Sequence, residues 1–220
     1  MSTSLVVAVD GPSGSGKSST ARGVADRLGL AYLDTGAMYR AMTWALLRAG
    51  TDLSDPDAIA AAARGIHLES GVDPLDPTIY ADGVDVAEAI RGENVTAAVS
   101  YVAAVPSVRE QLVAMQRQSI ADNGDRIVVE GRDIGSTVAP DADFKIYLVA
   151  DPAARAARRA AEDGSADALA TEQALAKRDE IDSNRAASPL AMADDAVLVD
   201  STYMTLEEVI ATIVDMVEQP

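Results

Sequence analysis

Leu5-Val-Val-Ala-Val-Asp10-Gly11-Pro12-Ser13-Gly14-Ser15-Gly16-Lys17-Ser18-Ser19 is the stretch on which the fold turns. Leu5–Asp10 is apolar and β-branched, the composition of a strand buried on both faces. Gly11–Ser18 then matches G-x-x-x-x-G-K-[ST] in full, between that strand and a helix start, which is the context a phosphate-binding loop requires. Glycines let the backbone curl so that successive N–H groups point at phosphate oxygens, and the helix N-terminus adds partial positive charge. In that loop Lys17 reaches the β- and γ-phosphates and the Ser18 hydroxyl meets magnesium. An incidental lysine in a Gly/Ser turn would lack these flanks.

Working outward, a helix is expected from Lys17 to a glycine cap at Gly29, then a strand in Leu30–Asp34 (LAYLD), then a helix from Gly36 to Ala49 closed by Gly50. Arg126–Glu130 (RIVVE), Phe144–Ala150 (FKIYLVA) and Ala196–Asp200 (AVLVD) read as further buried strands. Thr205 and Glu208 form a capping box ahead of Val209, Ile210, Ile213, Val214 and Val217, a final helix. Strands alternating with helices make an α/β fold: a P-loop NTPase-type parallel sheet flanked by helices. Two stretches interrupt it. Residues of about 51–106 form a Pro/Asp-rich insertion with a hairpin at Asp82–Gly83 followed by a helix. Residues of about 152–187 form two Arg-containing helices joined by Glu162–Asp167 (EDGSAD), a small helical lid whose arginines repel one another without an anion. The core is then about 1–50, 107–151 and 188–220, in a single domain.

The 220 residues are 48% hydrophobic, enough for one substantial core. With no cysteine and one histidine, His67, disulfides, thiolate metal sites, thiol nucleophiles and histidine metal clusters are excluded. His67 reads as a surface or partly buried strand residue, and Trp44, Met38 and Met42 as helical core packing. No long apolar run and no basic leader are present, so a cytoplasmic protein is expected. A net charge of −17 argues against nucleic-acid polymers and anionic membranes as partners, and a monomer is expected. Only Lys17, Lys145 and Lys177 of the 18 basic residues are lysine; the other 15 are arginine, which suits bidentate phosphate recognition or reflects genomic composition.

A phosphate loop by itself does not separate a kinase from a GTPase, a motor or a transporter ATPase. The chain has no Asn-Lys-x-Asp segment for guanine, and it leaves little room for the further domains of a remote ATPase engine. A small-molecule kinase is the reading that remains.

Asp34-Thr-Gly-Ala-Met-Tyr-Arg40 and Glu130-Gly-Arg-Asp-Ile-Gly135, with Arg155-Ala-Ala-Arg158-Arg159, Arg178-Asp-Glu-Ile-Asp182-Ser-Asn-Arg185 and Val199-Asp-Ser-Thr202, follow the loop in order. Nearly end to end, the chain resembles bacterial cytidylate kinases, of the nucleoside monophosphate kinase family. The resemblance implies transfer of a phosphoryl group from ATP to CMP and dCMP, with Mg2+, and a sheet carrying a monophosphate-binding insertion and a lid. It implies that Thr35, Tyr39, Arg40, Gly131, Arg132 and Arg185 surround the acceptor phosphate. By the same resemblance Ser100, Arg109 and Asp133 read cytosine, and Arg178 and Asp182 hold the ribose. On the ATP side stand Gly11, Pro12, Ser13, Gly14, Ser15, Gly16, Lys17, Ser18, Ser19 and Arg158, with Lys17, Arg132, Arg155, Arg159 and Arg185 as catalytic cations. Thr35 is serine in some relatives and Ser18 glycine in others; both changes keep or restore a hydroxyl.

The residues make chemical sense on their own. Phosphoryl transfer needs alignment, charge neutralisation and exclusion of water, which arginines and magnesium supply. Arg178, Asp182 and Arg185 share one helical face, as do Arg155, Arg158 and Arg159; either set is also what a solvated helix with local salt bridges looks like. A carboxylate at Asp133 accepting from cytosine N4, beside Arg109 donating to N3 or O2, would favour cytosine over uracil. Asp133 has an alternative place near the phosphates or as a helix cap. Asp34 either holds magnesium-bound water or caps the next helix. The rivals are a kinase for another small acceptor, such as UMP, adenylate, shikimate or dephospho-coenzyme A, and an ATP-binding regulatory module.

Overall fold

The computed structural model describes residues 4–163, 167–184 and 188–219, without the side chains of residues 162, 163 and 168. In chain order the elements are β1 (Leu5–Asp10), α1 (Lys17–Leu28), β2 (Ala31–Asp34), α2 (Thr35–Arg48), α3 (Pro56–Ala63), β3 (Leu68–Ser70), β4 (Ile79–Ala81) and β5 (Val84–Asp85). There follow a 3₁₀ turn (Ala89–Arg91), α4 (Glu93–Ala103), α5 (Pro106–Asp122), β6 (Arg126–Glu130), a π-helical turn (Ile134–Val138), β7 (Phe144–Val149), α6 (Pro152–Asp163), α7 (Ala168–Asn184), β8 (Val197–Asp200) and α8 (Leu206–Glu218).

Five strands pair in parallel in the order β2-β6-β1-β7-β8. The alternation of β1 divides its side chains between two cores, as the two-residue period of a strand requires. Val7 and Val9 pack with Ala21, Val24, Ile213 and Val214 of α1 and α8. Val6 and Ala8 pack with Met42 and Leu46 of α2 and Leu112 of α5 on the opposite face. Met38 and Met42 are buried and Trp44 packs against them, as helical core residues should. Gly29 ends α1 and Thr205 with Glu208 makes the capping box of α8, as expected; Asp34 takes the cap alternative at α2, and Asp55 caps α3. All five apolar positions read for that last helix are buried.

One expectation is revised. Ala196–Asp200 was expected to be a buried strand, but β8 is the sheet edge: Val199 is buried, while Val197 and Leu198 are 47% and 55% exposed. Apolar composition is common to central and edge strands, and only pairing separates them. The insertion has a small sheet of its own. Its hairpin turns at Asp82 and Gly83, both at positive φ, in a three-stranded antiparallel sheet. Its Ile59, Leu68, Ile79, Ile90 and Val99 nevertheless join the same cluster as Val6 and Leu33 of the main sheet. His67 is on the surface of this insertion, 3.4 Å from Glu69. Among the described residues no helix is long and apolar enough to cross a membrane.

Candidate active site

Parallel register delivers carboxylates to one edge of the sheet. Val9 pairs with Glu130 and Asp34 with Glu130, so Asp10, Asp34 and Glu130 end three adjacent strands where ligands bind in open α/β sheets. Next to that edge the chain turns through the Gly11–Ser18 loop. Gly11 has φ +148, and a Cβ there would lie 2.1 Å from the Leu148 carbonyl oxygen, so only glycine lets the loop leave β1 against β7. Gly131 is held as tightly: a Cβ would lie 2.7 Å from the Thr35 hydroxyl and 2.6 Å from Ile134 Cδ1.

Asp10, absent from the sequence-derived set, ties the two catalytic stretches together. Its buried carboxylate accepts from the backbone N–H groups of Ile134 (2.9 Å) and Gly135 (2.8 Å), anchoring the segment that carries Arg132 and Asp133. Burial pushes its carboxyl up to about 6. Glu130 accepts from the Tyr32 hydroxyl at 2.7 Å and is hydrogen-bonded to Ser18; burial, then Asp34, pushes it up to about 7. Asp34 accepts from Ala37 N–H at 2.8 Å as the cap of α2, and burial raises it too. Lys17 donates to the Pro12 carbonyl at 2.7 Å, and burial followed by Arg132 lowers its ammonium to about 8. The signal that could have marked Asp10 and Glu130 is a single acid ending an otherwise apolar strand, since an unpaired buried carboxylate is costly.

Beyond this edge opens a cavity of about 200 Å³. Its lining brings together Ser13, Gly14, Lys17 and Ser18 from the loop with Asp34, Thr35, Tyr39, Arg40, Ser100, Gly131, Arg132, Asp133, Arg159, Arg178 and Asp182. The Thr35 hydroxyl donates to the Glu130 carbonyl at 2.7 Å, joining α2 to β6. Arg40 donates to the Ile90 carbonyl and the Thr96 hydroxyl, both at 2.9 Å. Burial, then the neighbouring Arg159, lowers Arg40 to about 10; burial, then Arg132 and Arg40, lowers Arg178 to about 9. Arginines that depress one another around one cavity call for an anion. Arg109 does not line the cavity. It is buried behind Asp133, hydrogen-bonded to that carboxylate and set 5.5 Å from the Tyr39 ring centroid, so in this conformation it meets the cavity through Asp133. Asp133 precedes the π-helical turn without a side-chain capping bond.

The three arginines of α6 take different partners. Arg155 donates to the Ser13 carbonyl (2.9 Å) and to Asp179, whereas Arg158 donates to Ser201 (3.0 Å to Oγ, 2.6 Å to the carbonyl) beside the Ser15 carbonyl. Arg159 instead lines the cavity. Of the three, Arg155 meets a carboxylate of α7, Asp179. Pro12, Ser15 and Gly16 complete the loop, and Ser19 is exposed on α1. Arg185 lies outside the described residues. Ser201 and Asp179 lie inside motifs without a spacing of their own that marks them, and only tertiary contact distinguishes them.

Among the described residues no three metal-ligating side chains cluster. One hydroxyl at a helix start, hydrogen-bonded to Glu130 and near Asp34, fits a magnesium ion held mainly by phosphate oxygens and water.

The cytidylate kinase family model matches residues 7–219. The chain is 56% identical to the cytidylate kinase of Streptomyces avermitilis, over 98% of this chain and 93% of that one. It is 54% identical to the cytidylate kinase of Rhodococcus opacus, over 100% and 97%. Among solved structures, a gluconokinase from Sinorhizobium meliloti covers 98% of this chain and 92% of its own at TM-score 0.50 and 16% identity, a likeness of fold. A family model spanning nearly the whole chain, together with relatives of such identity and coverage, makes this chain a member of the cytidylate kinase family.

Proposed function

We propose that the chain transfers the terminal phosphoryl group of ATP to CMP, and to dCMP, at the junction between the phosphate loop and the arginine-lined cavity. The observation that carries this reading is the convergence of Arg40, Arg132, Arg159 and Arg178 on one cavity that opens onto Lys17 and Ser18. A bound phosphate dianion relieves the mutual repulsion of those cations. It is itself the nucleophile, so no general base is needed. Arg132, which contacts Ser13 of the loop at 2.5 Å and lines the acceptor cavity, spans the path of transfer. Lys17, Arg132 and Arg155 stabilise charge on the moving group, and Arg178 with Asp182 faces the ribose side of the cavity. Asp133, backed by Arg109 and beside Ser100, offers an acceptor to the cytosine amino group. Ser18 would hold magnesium directly, with Glu130 and Asp34 orienting its water. Bound there, the ion neutralises the β- and γ-phosphates.

A coupled ADP-release assay over CMP, dCMP, UMP, AMP and shikimate tests the reading. CMP and dCMP should turn over at least tenfold faster than UMP, the scale set by one base contact of about 1–3 kcal/mol. ATP binding without turnover of any acceptor would overturn it.

A further inference from the structure

The lid helix places a carboxylate on the phosphate loop itself. Asp179 Oδ1 accepts from the backbone N–H of Ser13 at 2.9 Å and from Arg132 Nη1 at 3.0 Å, while Oδ2 accepts from Arg155 Nη1 at 2.5 Å. A backbone N–H of a phosphate loop and two arginines are the donor set of an anion site, and an acidic side chain from a different element fills it. The side chains involved are nearly buried, at 11–16% exposure, so the contact is not a solvated surface pair. Arg132 also holds Asp182 at 3.1 Å, which fixes the guanidinium between loop and cavity. Burial raises the Asp179 carboxyl, but its bonds from Ser13 N–H, Arg132 and Arg155 outweigh that and hold it below the usual range, so it is charged at neutral pH.

We infer that Asp179 is a displaceable stand-in for the phosphoryl group in transit, which occupies the donors of Ser13, Arg132 and Arg155 until ATP takes them. This rests on the phosphoryl-transfer reading given above. A carboxylate carries one charge and two oxygens; a terminal phosphoryl group carries more charge and three, and wins the shared donors. Nucleotide must therefore bind against an internal competitor, and its apparent affinity falls by the fraction of molecules with Asp179 out of the way. ADP has no terminal group to compete there, so the handicap falls on ATP alone. In the empty protein the same contact keeps two arginines at the loop without mutual repulsion.

The experiment is calorimetric titration of full-length wild type and Asp179→Asn with ADP and with the β,γ-imido analogue of ATP, both with magnesium and without acceptor. Asn keeps the shape and removes the charge. The analogue should bind about tenfold tighter to the variant, while ADP changes by less than about twofold. Unchanged or weaker analogue binding, or equal tightening of both nucleotides, overturns the inference; generally loosened binding is what a merely structural role produces. Thermal melting checks the fold, and Asp179→Ser replaces Asp179→Asn if the latter does not fold. If wild type binds the analogue but phosphorylates no cytidine nucleotide, the activity reading fails while the competition result still stands on its own.

Discussion

The segment after β6 and the helix pair α6–α7 each hold an arginine–carboxylate pair beside residues that line the cavity, the first through Asp133 itself and the second through Arg132, but the two pairs are built differently. Arg109–Asp133 sits behind the π-helical turn, 5% and 7% exposed, against a continuous apolar cluster. Arg155–Asp179 joins two helices, α6 and α7, in which Ala156, Leu175 and Asp182 are the fully buried residues among the described side chains. One region is positioned by burial and carries its charges as passengers. The other is positioned by its charges, and so responds to any anion that enters. On the proposed function, that contrast would hold the base and the loop still while α6 and α7 respond to phosphate.

Removing one arginine from each pair should separate the two regions most clearly. Arg109→Met leaves the Asp133 carboxylate buried and unpaired, and should lower global stability in urea unfolding by about 3–5 kcal/mol. Arg155→Met leaves Asp179 its bonds from Ser13 N–H and Arg132 and should lower it by less, about 1.5–3 kcal/mol, the scale of one hydrogen bond to a charged group. Equal losses would show that the lid belongs to the same cooperative core. Next in size is Lys17→Ala, with kcat reduced about 10²–10³-fold, the scale of a preorganised contact to developing charge. The melting temperature should barely move, because Lys17 is half-buried and packs in neither apolar cluster.

A smaller effect separates the two regions by pH. Glu130 and Asp10 have folded pKa values raised to about 7 and about 6, so their contribution to stability is fully present below about pH 4 and is lost as pH rises through those values. Asp179 is lowered, so its contribution is present above its ordinary value of 3.8 and is lost as pH falls below it. Unfolding free energy measured from pH 4 to pH 8 should fall with rising pH more steeply in wild type than in Glu130→Gln, whereas Asp179→Asn should keep the wild-type slope. Parallel slopes for wild type and Glu130→Gln would remove Glu130 from the titrating set.

Much of this protein is legible without coordinates because local rules suffice. The Leu5–Asp10 run, the full loop motif and the capping box at Thr205–Glu208 each encode their element through contacts within a few residues, and β1, α1 and α8 form where those signals place them. The residues from Thr35 to Asp182 that line the cavity were named through the resemblance of their motifs to a known family, and the fold brings them together. Three things depended on the tertiary structure. That β8 is an edge strand follows from pairing order, which apolar composition does not carry. That Arg109 backs Asp133 rather than facing the cavity follows from the packing of α5 under Tyr39. That Asp179 lands on Ser13, 166 residues away, follows from how α7 folds back over the loop. Local propensity and motif spacing act through neighbours along the chain, while a salt bridge or an edge is a relation between distant segments, and only the assembled fold brings those segments together.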